Sequence, residues 1–169
     1  MISERLVNFI NDQINFEYYS ANIYLAMQAY FASQGLNGFT NFFKVQIEEE
    51  NFHATKLFNY LNQVGGRIII KGFPDPENNY ESPLKAFEAA LAHEQKVTQR
   101  FNNLMEIARE DKDYASLGFL QWFIDEQVEE EDTFNNAIQT LKRISDNPAA
   151  LYLYDQELAN RTFTPPATL

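Results

Sequence analysis

With 169 residues and no cysteine, the chain has the length of one domain over residues 1–169 and excludes disulfides, thiolate-held zinc and iron–sulfur clusters. Its 24 acidic against 13 basic residues give a formal charge of −11, which argues against a nucleic-acid partner; taken alone, that balance is a solvated acidic surface. No apolar run reaches the ~20 residues of a membrane span, and Met1-Ile2-Ser3-Glu4-Arg5 lacks the blocks of a signal peptide, so a cytoplasmic protein without a membrane partner is expected.

Punctuation divides the chain into four long helices and a short fifth. Ser3 is the N-cap of the first, which runs to about Ser33 before Gln34-Gly35-Leu36-Asn37-Gly38. The second begins near Phe39 and stops at Gly65-Gly66, where glycine takes the left-handed capping conformation. A long connection, Arg67 to Glu81, carries Pro74 and Pro76, and Ile68-Ile69-Ile70 adds a short strand there. Ser82-Pro83 opens the third helix, which ends near Glu110. After Asp111 to Asp113 the fourth runs from about Tyr114 to Ile144. Asn147-Pro148 opens the fifth, to about Asn160. Short links make two antiparallel hairpins, and the long one resets direction, giving an all-α four-helix bundle with one crossover. Helices of about 28 residues span roughly 42 Å. Fifteen Phe, nine Tyr and one Trp exceed what such a core needs, which points to buried subunit interfaces.

The chemistry lies where the apolar stripes are interrupted. The first helix reads Leu6, Ile10, Ile14, Glu17, Ala21, Tyr24, Phe31; the second Phe43, Ile47, Glu50, His53, Leu57, Leu61, Val64. The third reads Leu84, Phe87, Leu91, Glu94, Val97, Phe101, Met105; the fourth Leu117, Leu120, Ile124, Gln127, Glu130, Phe134, Ile138, Leu141. Each stripe breaks near mid-helix, and Glu50/His53 and Gln127/Glu130 share a face at i, i+3. One buried Glu or one buried His is ordinarily a hydrogen-bonded core residue. Four coincident breaks are not, because buried carboxylates repel one another and lose hydration. No Lys or Arg lies on these stripes, so bound cations are the natural compensation. Oxygen ligands with one imidazole suit iron, and also Zn or Mn. His93 falls one residue off the third stripe and reads as structural or surface.

These residues, in this order, resemble the ferritin family over almost the whole chain. The resemblance rests on Glu17, Glu50-Asn51-Phe52-His53, Glu94 and Gln127-Val128-Glu129-Glu130. Glu48-Glu49-Glu50, Ser82-Pro83-Leu84-Lys85-Ala86-Phe87-Glu88 and Asp125-Glu126-Gln127-Val128-Glu129-Glu130-Glu131 are similar to the haem-free ferritins of bacteria and archaea. The resemblance implies that Glu17, Glu50 and His53 hold one iron, and that Glu94 and Glu130 hold a second, with Glu50 bridging and Gln127 alongside. It implies a third iron site at Glu49, Glu126 and Glu129, with Glu130 shared; without it, that cluster reads as a solvated face. Tyr24 is then a hydrogen-bonding residue near the site and an electron donor, or else an ordinary core tyrosine. Trp122 reads as packing.

The implied activity is oxidation of Fe(II) with O2 or peroxide, with ferric mineral stored inside a cage of 24 subunits. The fourth helix carries Gln127-x-x-Glu130 where symmetric di-iron bundles carry Glu-x-x-His, so the second iron lacks histidine, which favours release over permanent retention. Bacterioferritins place a haem-ligating Met after the bridging Glu; here that residue is Asn51, so no haem is expected by that route. Three alternatives stay open: a stand-alone di-iron oxidase or peroxidase, a dodecameric mini-ferritin with intersubunit iron, and a non-enzymatic scaffold. The in-chain ligand set argues against the second, and the stripe breaks against the third.

Overall fold

A computed structural model describes residues 2–144 and 146–166. Its elements are α1 (Glu4–Ser33), α2 (Asn37–Gln63), α3 (Pro83–Glu110), α4 (Tyr114–Ile144) and α5 (Pro148–Leu158). The expected caps form. Ser3 Oγ accepts from the Leu6 N–H at 3.1 Å, and Ser82 Oγ from the Lys85 N–H at 3.2 Å. Gly65 takes φ +83°, and the Gly66 N–H returns to the Leu61 carbonyl at 2.8 Å, the paired closure of a Schellman end.

One apolar cluster joins the end of α1, the start of α2, the start of α3 and the end of α4. A second joins the four opposite ends. So α1 and α4 run one way, α2 and α3 the other, and the crossover travels the length of the bundle. The polar layer lies between the clusters. The α1 stripe is buried throughout, whereas Ile47, Leu84, Leu91, Met105, Leu117 and Ile124 are only partly covered. Ala86, Ala90, Leu104 and Phe123 take up the deepest places instead, because a core-facing stripe is wider than one residue per turn. Among the described residues, no helix is long and apolar enough to cross a membrane.

Two expectations are corrected. Ile68-Ile69-Ile70 forms no strand, because its backbone pairs with side chains. Asn11 Nδ2 donates to the Arg67 carbonyl at 3.0 Å, and its Oδ1 accepts from the Ile69 N–H at 3.0 Å. Asn15, one turn later, repeats this with the Ile69 carbonyl at 2.9 Å and the Lys71 N–H at 2.6 Å. Two helical amides thus stand in for a strand partner at Arg67, Ile69 and Lys71. The start of α2 also differs. It begins at Asn37, and Leu36 supplies no cap. Asp155 of α5 caps it instead, its Oδ1 accepting from the Gly38 and Phe39 N–H groups at 2.7 and 3.1 Å. Only glycine fits at 38, since a Cβ there would lie 1.6 Å from the Asp155 carbonyl oxygen.

Candidate metal centre

Each long helix brings its stripe break to the same level. Glu17 of α1, Glu50 and His53 of α2, Glu94 of α3, and Gln127 and Glu130 of α4 are all buried. Glu17, Glu50 and His53 offer ligand atoms within 4.8 Å of one another, as do His53, Glu126 and Glu130. His53 therefore belongs to both groups, with Nδ1 3.8 Å from Glu50 and Nε2 3.9 Å from Glu126. Both distances exceed a hydrogen bond, so the attraction is one of charge.

Glu94 lies in the layer but joins neither group. Its Oε1 accepts from the Tyr24 hydroxyl and its Oε2 from Gln127 Nε2 at 3.0 Å. Gln127 thus turns its amide toward Glu94. Of the implied third-site residues, Glu126 reaches the layer. Glu49 pairs with Arg161 at 2.9 Å, and Glu129 is exposed and outside both groups.

Two buried amides escape a reading based on charged residues. Gln46 Nε2 donates to Glu130 Oε2 at 3.0 Å, and Gln13 Nε2 to Glu17 Oε1 at 2.7 Å. The available signal was position: Gln13 and Gln46 precede Glu17 and Glu50 by four residues on the buried face. Arg161 lies beyond the bundle, where the stripe pattern gives no register.

Burial dominates the electrostatics. It pushes Glu94 up to about 7, the Tyr24 and Gln127 hydrogen bonds holding it back. It pushes Glu130 up to about 8, assisted by the charges of Glu94 and Glu49. Glu50 is raised by burial and by Glu94. For His53, burial favours the neutral ring, but Glu126 and Glu50 outweigh it and raise the imidazole well above its ordinary value. Burial thus favours the protonated carboxyls, and a bound metal would compete with those protons. Glu17 Oε2, Glu50 Oε2, Gln46 Oε1 and His53 Nδ1 are buried without a hydrogen-bond partner. Unpaired buried polar atoms are costly. Three of these four are atoms able to ligate a metal, so the donor set suits a divalent cation.

The other aromatic residues frame the layer. Trp122 stands edge-on to His53 at 5.6 Å, with Lys56 over its ring at 4.7 Å. His93 is buried, with Nε2 2.7 Å from Ser20 Oγ and its ring stacked on Phe16 at 5.3 Å. That is a structural role, and burial lowers its pKa to about 4.

The Ferritin-like domain family matches residues 7–144. The chain is 48% identical over 163 residues to the bacterial non-heme ferritin of Staphylococcus aureus, covering 96% of this chain and 98% of that one, with the same figures for Staphylococcus haemolyticus. Among solved structures, a humanized archaeal ferritin superposes with TM-score 0.95 at 45% identity, covering 96% of this chain and all of that one. The open pore ferritin of the hyperthermophilic archaeon Archaeoglobus fulgidus does so with TM-score 0.95 at 43% identity and the same coverage. The chain belongs to the ferritin family.

Proposed function

We propose that residues 1–169 act as one unit that oxidises Fe(II) with O2 or peroxide in the buried layer. The ferric product passes to an oxyhydroxide mineral inside a hollow cage of 24 copies. Iron is the substrate, and no haem is required. Glu17, Glu50 and His53 bind one Fe(II). Glu94 and Glu130 bind a second, with Glu50 bridging and Gln127 and Tyr24 steadying Glu94. Each Fe(II) gives up one electron. Two electrons and two protons convert O2 to hydrogen peroxide, or peroxide to two waters. The carboxylates stabilise the rising positive charge, and Glu94 and Glu130 release their protons as metal loads.

The observation that carries this reading is the set of unpartnered atoms Glu17 Oε2, Glu50 Oε2 and His53 Nδ1 in one buried layer. Glu126 supports an exit path, because it reaches His53 and Glu130 while its side chain is 28% exposed. Glu49 and Glu129 flank it as the remaining third-site ligands. Exposed Leu25, Tyr114, Val128 and Leu153 leave apolar surface for assembly.

Stopped-flow absorbance during aerobic Fe(II) addition tests the centre. Glu50→Ala and His53→Ala are expected to abolish the fast phase while the helical circular dichroism persists; wild-type rates in the folded double variant would refute the assignment. Oxygen consumed per iron in Glu49→Ala and Glu126→Ala tests the exit path. Sedimentation before and after iron loading separates storage from the stand-alone oxidase: a small particle that precipitates iron outside itself would leave only the oxidase.

A further inference from the structure

A line of side chains connects the outside of the bundle to Glu17. Arg100 of α3 donates from Nη2 to Asp12 Oδ2 and from Nε to Gln13 Oε1, each at 2.7 Å. Its guanidinium also lies over the Phe16 ring at 4.1 Å. Gln13, itself buried, donates from Nε2 to Glu17 Oε1 at 2.7 Å. Glu17 Oε2 is buried without a hydrogen-bond partner, and a carboxylate oxygen of Glu17 lies within 4.8 Å of ligand atoms of Glu50 and His53.

The chemistry of these groups fixes the direction of every bond. A guanidinium only donates, and an amide has one accepting and one donating end. Because Arg100 takes the oxygen of Gln13, the amide nitrogen must face Glu17. That nitrogen then occupies one carboxylate oxygen and leaves the other unused. We propose that Gln13 is a positioning residue that presents Glu17 to the metal through Oε2 alone, and that Arg100, on the outer side of the bundle, locks the amide in the orientation this requires. The inference rests on the metal-centre reading above. Its chemical consequence is a terminal carboxylate bound through one oxygen, which leaves a coordination position for water or oxidant. Without Gln13, Glu17 is free to chelate through both oxygens and close that position.

Anaerobic Co(II) titration, followed by visible absorption, tests this in the full-length protein without any turnover. Glu17→Ala first establishes which binding step belongs to Glu17; if that substitution changes neither step, the metal-centre assignment falls, and this inference with it. Given a Glu17-dependent step, Gln13→Leu is expected to weaken it about tenfold, the usual scale for an outer partner of a ligand. The Co(II) bands should also weaken as coordination number rises. Gln13→Met, nearly isosteric, serves if the leucine variant does not fold. Arg100→Met should weaken the same step less and add nothing once Gln13 is gone, a non-additive cycle. Wild-type affinity and spectrum in a folded Gln13 variant would overturn the positioning role. Full additivity of the two substitutions would overturn the role given to Arg100.

Discussion

The two apolar ends of the bundle are both deeply buried but differently made. The end that receives α5 is a stack of rings. Phe31 lies on Phe43 at 5.4 Å and 9°, and on Phe39 at 5.1 Å and 20°. Phe87 and Phe134 close the group. The buried core of the opposite end is mostly Leu and Ile, with Phe101 and Phe123 as a buried stacked pair at 4.6 Å. The two ends grip the polar layer in different ways. From the ring-built end, Tyr24 extends a hydroxyl that fixes Glu94. From the aliphatic end, Phe123 and Trp122 present ring edges to His53 at 5.9 and 5.6 Å and make no hydrogen bond. Glu94 is held by a hydrogen-bond donor, whereas His53, between the Glu50 and Glu126 carboxylates, is walled by rings.

The largest effects should separate the ends by their links to α5. Phe43→Ala is expected to cost about 3–5 kcal/mol, and Leu57→Ala about 2–5 kcal/mol. Only the first should also expose α5 amides to hydrogen exchange, since Leu158 and Tyr154 pack on that cluster. Equal α5 protection in both variants would erase the distinction.

A second effect sharpens it through pH. His93 packs on Tyr24 and titrates near 4 in the fold against 6.5 when unfolded. The unfolded chain therefore binds the proton more readily. Stability from this residue is whole above pH 6.5, falls as pH drops toward 4, and amounts to about 3 kcal/mol. The urea midpoint at pH 7, taken relative to that at pH 4.5, should be lower in His93→Gln than in the parent; an unchanged difference would assign this pH dependence elsewhere.

The smallest effect concerns the hydroxyl alone. Tyr24→Phe should cost about 1 kcal/mol and raise the pKa of Glu94 further, because that bond holds it down. The sign for the layer is opposite to that of His93. Glu94 and Glu130 titrate near 7 and 8 in the fold against 4.5 unfolded. The stability these two carboxyls contribute to the metal-free protein is therefore lost as pH rises from about 4.5 to 8, while bound Zn(II) or Co(II) reverses that contribution by displacing the protons. Thermal melts across pH 5–8, with and without Zn(II), read both slopes. A Tyr24→Phe profile identical to the parent would mean that the hydroxyl is idle.

How much of this was legible follows from the range of each interaction. The α1 stripe and the caps at Ser3, Ser82 and Gly65 depend on neighbours a few residues away, so periodicity and composition suffice. The convergence of Glu17, Glu50, His53, Glu94 and Glu130 on one level was legible because each interrupts its own stripe. The pairing inside the layer was not. That Glu94 turns to Tyr24 and Gln127, or that Glu49 meets Arg161, is decided by side-chain torsions across helices. The Asn11 and Asn15 bonds to the crossover likewise join positions more than fifty residues apart, for which a polar residue on a helix gives no warning.

The bond from Asp155 to the start of α2 has a consequence for synthesis. The cap and the turn it completes are 117 residues apart, so the Gly38 and Phe39 N–H groups lack this acceptor until residue 155 has left the ribosome. The first hairpin can collapse early, as local segments do during translation. Yet the helix that supplies Glu50 and His53 is seated at its origin only when the final helix arrives. A ribosome stalled before residue 155 therefore exposes a nascent chain in which Glu50 and His53 have been made but the second helix is not yet anchored at its start.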